Sequence, residues 1–263
     1  MSLALSLMWL AVPAVPGPKP DALLEELNYR VDVWFWRDAV KGRIILKRAG
    51  EGRYVAELSG EALGVAAVLS GRRRDSYRTE MVLRNGKLAP LIYREESRRR
   101  GRRHLKEYRF NYAQNRVELW QWEANSKKMS RKWQTDLTDS ISDPISAFYN
   151  YRLGFMGPIR AGDTIRAPGI PYPKPEEIEL RIGPETESGR QVMVSMINPA
   201  FEHQRGVVYV SFDGNLVPTQ AWSQVGLGRV SGKIQPESRP LKGKLPEGQG
   251  TTGGKPGKVE KND

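Results

Sequence analysis

Asn85-Gly86-Lys87-Leu88-Ala89-Pro90 and Asp213-Gly214-Asn215-Leu216-Val217-Pro218 are two versions of one phrase. Each opens with a dipeptide suited to the positive φ of a two-residue hairpin turn, and each follows an apolar run, Glu80 to Leu83 or Val207 to Phe212. The closing proline has no N–H to offer a ladder, so it belongs at a strand entrance or an edge. The chain therefore reads as antiparallel strands wired by tight turns. No catalytic signature accompanies them.

Strands fill the sequence on either side of these turns. From Asn28 the period is two: Tyr29, Val31, Val33 and Phe35 alternate with Arg30, Asp32, Trp34 and Trp36, which predicts a partly covered second face for the two tryptophans. Turn residues at Gly42, Gly50, Gly52, Gly60, Gly101, Asn115 and Asn125 then mark strands over Gly42–Arg48, Arg53–Leu58, Tyr77–Leu83, Leu91–Arg98, Arg103–Tyr112 and Arg116–Ala124. Later strands fall at Asp163–Arg166, Glu177–Ile182, Gln191–Ile197, Val207–Phe212 and Pro218–Val225. Two short helices break the pattern. Asp21 can cap a turn over Ala22–Leu27, and Asp143 caps a longer helix with Pro144 at its first position and Gly154 at its end. In the second helix Ile145, Phe148, Tyr149, Arg152 and Leu153 fall at helical spacing.

The 263 residues carry a formal net charge of +12, no cysteine, seven Trp, ten Tyr and six Phe. That length suits one all-β domain with tails, large enough to bury a core without a disulfide or a metal. Absence of cysteine removes disulfides, thiolate zinc sites and cysteine nucleophiles together. Met1 to Pro16 hold a charge-free apolar run of signal-peptide length, followed by an extended proline-rich linker to Pro20. No Lys or Arg precedes the run, so either the start lies upstream or the segment is buried in a cytosolic protein. Export to the periplasm is the expectation, with no transmembrane span in the mature chain. The β domain is expected over 21–232, and residues 233–263, rich in Gly, Pro and Lys, are expected to form a disordered basic tail.

Several pieces, in this order, resemble an exported bacterial family, domain of unknown function 3108. They are Glu26-Leu27-Asn28-Tyr29-Arg30-Val31 with the Lys41-Gly42 turn, Gly86 to Pro90, Asp143-Pro144-Ile145-Ser146-Ala147-Phe148-Tyr149, and Asp213 to Pro218, spanning Glu25 to Ile234. The resemblance implies a single curved antiparallel sheet, similar to the half-barrels of lipoprotein carriers, with one or two short helices against its concave face. It supplies no catalytic residue. The arginine-rich hairpin and basic tail depart from the family's usual pattern, so no shared ligand is carried over.

Positive charge is clustered at Arg72-Arg73-Arg74 and again from Arg98 to Arg103. Arg99, Arg100, Arg102 and Arg103 are candidate contacts for phosphate or carboxylate, which a guanidinium grips through its planar fork. A solvated hairpin tip is the plainer reading. Tyr29, Val31, Phe110, Trp120, Phe148 and Tyr151 are candidates for an apolar groove on the concave face, with core packing as the competing role. Trp120 and Trp122 alternate on one strand and either form a contact platform or lie buried under the helix. His104 and His203, the only histidines, do not make a typical zinc site, and no nucleophile elbow is present. Asp136, Asp139 and Asp143 lack a calcium-loop pattern and read as turn and capping residues.

No catalytic residue, metal or cofactor is therefore assigned. The sequence supports a non-enzymatic, exported binder of an amphipathic or anionic envelope component such as a lipid. One alternative is a scaffold with a filled core that contacts an envelope protein. Another is an enzyme on envelope polysaccharide, whose paired carboxylates meet only in three dimensions. A cytosolic nucleic-acid binder comes last.

Overall fold

The computed structural model describes residues 22–138, 141–170, 177–187, 189–197, 205–226, 228–242 and 245. Their strands form one antiparallel sheet of 14 members. A first meander contains β1 (Ala22–Val33), β2 (Trp36–Arg48), β3 (Arg53–Ala62), β4 (Arg74–Arg84), β5 (Lys87–Arg99), β6 (Arg102–Asn111), β7 (Arg116–Glu123) and β8 (Lys128–Asp136). A second contains β9 (Thr164–Pro168), β10 (Glu177–Thr186), β11 (Gly189–Ile197), β12 (Arg205–Phe212), β13 (Pro218–Val225) and β14 (Gly228–Ile234). Helix α1 (Gly64–Ser70) lies between β3 and β4, and α2 (Pro144–Arg152) connects the meanders. Strand order runs from β8 to β1 and then from β14 to β9, so β1 and β14 meet inside the sheet and β8 and β9 are its edges.

Alternation decides which face is covered. Leu46, Ala56, Thr79, Tyr93, Tyr108 and Leu119 are cross-strand neighbours in one row from β2 to β7, and all are buried. Ile145 and Tyr149 of α2 pack into the same cluster, with Leu137, Ile141 and Leu245. Tyr151, on another side of α2, joins Ile182, Val192 and Phe212 of the second meander, and Phe148 packs against both clusters. A sheet whose two halves pack on one nine-residue helix must curve around it.

Polar contacts fasten α2 at three heights. Asp143 accepts from the N–H groups of Ile145 (2.9 Å) and Ser146 (3.0 Å), the predicted N-cap, and also from the Thr79 hydroxyl of β4 (3.0 Å). Burial nevertheless raises the Asp143 carboxyl above its ordinary range. Asn150 accepts from the Leu88 N–H (2.8 Å) and donates to the Leu88 carbonyl (2.9 Å), as a neighbouring strand would. Glu25 of β1 receives Arg152 and the Tyr149 hydroxyl on one oxygen and the Leu241 N–H on the other (2.8 Å). The Glu25–Arg152 pair is 0% and 3% exposed.

Several sequence expectations change, beginning with the turns expected at Gly42 and Gly60, which face each other inside β2 and β3. Ala22–Leu27 is strand, because pairing with β2 buries Glu25 and Leu27 on alternate positions and overrides the local cap. Trp34 and Phe35 are not strand residues: they form the two-residue turn between Val33 and Trp36 and stand in solvent. Asn85-Gly86 has the expected two positive φ angles, 50° and 71°, whereas after Asp213 only Leu216 is left-handed, at 55°. There the Asp213 carboxylate accepts from the N–H groups of Asn215 (2.9 Å) and Val217 (2.8 Å), so a longer side-chain-closed loop replaces the tight turn. Finally, β14 runs past residue 232 to Ile234, Arg239 exchanges backbone hydrogen bonds with Glu26, and Leu245 is buried. Residues 1–21, including the signal-like run, and 246–263 lie outside the described residues.

Candidate functional site

The concave face beneath α2 is occupied by the protein's own side chains. Tyr149 is fully buried there, and Ile145, Leu137 and Leu245 are 7%, 4% and 5% exposed. The six groove candidates do not share one lining. Phe110 belongs to the first cluster, Tyr151 to the second, and Phe148 lies between them. Tyr29 is half-buried and donates to the Pro218 carbonyl (2.8 Å), while Val31, one alternation along, faces Gly232.

Trp120 is on the opposite face. Its neighbour Leu119 points into the core, so alternation turns Trp120 outward, where its indole N–H reaches Glu118 (3.0 Å) and Arg109 stacks on its ring (4.5 Å). Trp122 meets Arg103 in the same way (5.5 Å). This outer face is a lattice of arginine, carboxylate and indole. Glu107 binds both Arg94 and Arg109 (2.5 and 2.6 Å); burial raises its pKa, but the two guanidinium groups outweigh that and hold it low. Such a lattice ties its charged groups to one another.

One end of the sheet is different. The β1–β2 turn, the β3–α1–β4 connection and the β5–β6 turn alternate with the remaining turns of the meander, so all three fall at the same end. The β5–β6 turn is Arg100-Gly101, with φ of 47° and 71°, a two-residue hairpin of the Asn85-Gly86 kind. Its arginines dock on the carbonyl end of α1: the Arg99 Nε donates to the Ser70 carbonyl (3.0 Å) and the Arg100 N–H to the Gly71 carbonyl (2.9 Å). Arg72 follows directly. A cavity of about 430 Å³ opens beside the hairpin, lined by Arg99, Arg100, Arg102 and His104.

Charge pairing separates these arginines into two groups. Arg73 pairs with Asp75 (2.8 Å), Arg74 with Glu61 (2.5 Å), and Arg98 and Arg103 share Glu96 (2.6 and 3.0 Å). Arg72, Arg99, Arg100 and Arg102 have no carboxylate within ion-pair distance among the described residues. Of the four sequence candidates, then, Arg103 is engaged and Arg72 takes its place. Only folding reveals that exchange, since it depends on Glu96 of β5 reaching Arg103 on β6.

The described Asp, Ser and His at this end do not form a Ser-His-Asp relay. Asp75, Ser97 and His104 are cross-strand neighbours in that order, which puts the serine, not the histidine, in the middle. Asp75 is also committed to Arg73. His203 and Asp139 lie outside the described residues, and among those described no group of three or more His, Asp or Glu side chains could hold a metal ion. No described helix is long and apolar enough to cross a membrane.

Against known proteins, residues 28–234 match the family described as "Protein of unknown function (DUF3108)". No curated protein matches the chain. Among solved structures it is similar to a beta-barrel-like protein of the domain of unknown function DUF1849 from Brucella abortus, at 8% sequence identity and a TM-score of 0.48, covering 82% of this chain and 97% of that one.

Proposed function

The chain belongs to the DUF3108 family, and from that premise we propose a non-enzymatic protein of the cell envelope, exported to the periplasm, that binds an anionic amphiphile at the arginine end of its sheet. The observation that carries this reading is the set of guanidinium groups at Arg72, Arg99, Arg100 and Arg102 with no carboxylate partner among the described residues, placed beside arginines that each have one. Three of them line the cavity with His104, a setting in which the guanidinium fork can take a phosphate or carboxylate head group. The hydrocarbon is not enclosed beneath α2, where Tyr149 and Ile145 already fill the space. The ligand's acyl part therefore stays in its own lipid phase.

Co-sedimentation with vesicles tests this. Wild-type protein binds phosphatidylglycerol-containing vesicles and not pure phosphatidylcholine. Arg99→Gln/Arg100→Gln/Arg102→Gln loses roughly a hundredfold in affinity, from about 1 kcal/mol per basic side chain at an anionic surface, with thermal unfolding nearly unchanged. Equal binding by both proteins rejects the role. The filled interior also suits the scaffold alternative, which predicts no vesicle binding by either.

A further inference from the structure

We infer that this arginine end is a membrane wedge: the Trp34-Phe35 turn and helix α1 enter the interfacial layer of an anionic bilayer while the arginines hold its phosphates. The inference rests on the anion-binding reading above and adds the means of insertion.

Exposed apolar side chains are concentrated there. Trp34, Phe35, Val65, Val68 and Leu69 are 61%, 62%, 61%, 73% and 57% exposed. The other large apolar side chains exposed among the described residues, Leu23 and Leu58, reach only 41% and 38%. A water-facing helix ordinarily shows a polar face, but Gly-Val-Ala-Ala-Val-Leu-Ser has none, and no residue of α1 is buried. Trp34 sits at a φ of 56°, a left-handed conformation that a bulky side chain resists. Its N–H donates to the Arg229 carbonyl (2.7 Å), which fixes the strained turn with the two rings 4.3 Å apart, the indole resting along Gly228 with most of its surface still exposed.

The two apolar features and the arginines are physically joined. The Leu63 N–H, at the start of α1, bonds the Ala39 carbonyl just beyond the aromatic turn (2.8 Å). The other end of α1 carries the Arg99 and Arg100 contacts. Of the acids at this end, Asp32 accepts the Asp38 N–H (2.8 Å) and so closes its own hairpin, while Glu61 and Asp75, on the strands flanking α1, are engaged by Arg74 and Arg73. Indole at head-group depth, a shallow apolar helix and unpaired arginines beside it match the layered chemistry of an anionic lipid surface. The unpaired positive charge commits the occupant to that surface.

The chain has no cysteine, so single labels are clean. An environment-sensitive fluorophore is placed on full-length Phe35→Cys, Val68→Cys and, at the opposite end, Lys87→Cys. With phosphatidylglycerol-containing vesicles, the first two labels shift to the blue and are quenched by spin-labelled acyl chains, and the third does neither. Val68→Ser/Leu69→Ser weakens binding roughly tenfold without lowering the unfolding temperature. Binding with labels 35 and 68 still in water overturns the wedge but leaves the arginine site standing. No binding at all overturns both. Labels already shifted without vesicles show that another protein surface covers this end, and also overturn the wedge.

Discussion

Removing the Glu25 carboxylate tests whether α2 is anchored by a buried charge or merely packed. In Glu25→Gln the Arg152 guanidinium, 3% exposed, loses its counter-charge, and the Tyr149 hydroxyl and Leu241 N–H lose a carboxylate acceptor. Breaking one side of a buried ion pair destabilises by about 3–5 kcal/mol, because the remaining charge is stranded away from water. For a domain of this size each kcal/mol shifts Tm by about 2–4 °C, so a drop of roughly 6–20 °C is expected. Arg152→Met should be similarly damaging. The double variant should recover much of the loss, because no uncompensated charge remains. Urea unfolding of all four proteins gives the coupling energy directly. Two single variants that each lose less than about 1 kcal/mol, or a double variant whose loss equals their sum, would refute the anchoring argument.

Two glycines with positive φ should behave unequally. Gly86→Ala, at φ 71° with nothing within 4 Å of the new Cβ, costs about 1 kcal/mol for backbone strain alone. Gly189→Ala, at φ 111°, drives a Cβ into the Phe212 carbonyl of the paired strand and should lower the urea midpoint several times as far; equal midpoints refute the steric reading. Acid titration of stability separates two carboxylates of opposite sign. Glu107, held low by Arg94 and Arg109 against the upward push of burial, stabilises above the unfolded carboxyl pKa, and that contribution fades as pH falls through its folded value. Asp143, raised by burial, does the reverse: its contribution is complete below the unfolded pKa and is lost as pH rises through the folded value. Urea midpoints measured from pH 7 to 3 should fall less steeply for Glu107→Gln than for wild type, and Asp143→Asn should remove a change of the other sign.

The features legible in the sequence are those whose cause is local. Asn85-Gly86 and Asp143-Pro144 act within a few residues, and both elements form where expected. Strands such as β5 and β7 declare themselves through alternation against one buried row. The elements that escaped have weak local signals: α1 lacks a polar face, β8 has only a partly covered one, and β14, Gly228–Ile234, has one of its two partners, β1, at the other end of the chain. Ala22–Leu27 misled for the same reason, since Asp21 promises a cap and only β2 can cancel it. The arginine cluster was visible. Which of its members find a carboxylate was not, because Arg74–Glu61 and Arg103–Glu96 meet only through strand register.

Among the described residues, all but one of the ladders between strands join strands adjacent in sequence, the exception being β1 with β14, where Tyr29 meets Ile234. Each half can zip hairpin by hairpin, closing loops whose entropy is small. Bringing the first strand to the last is a single long-distance event, and the buried Glu25–Arg152 contact spans 127 positions in the same step. Assembly should thus resemble two scrolls rolled separately and then clasped once. A lesion at that clasp would slow the final joining while leaving each half's local zippering almost untouched.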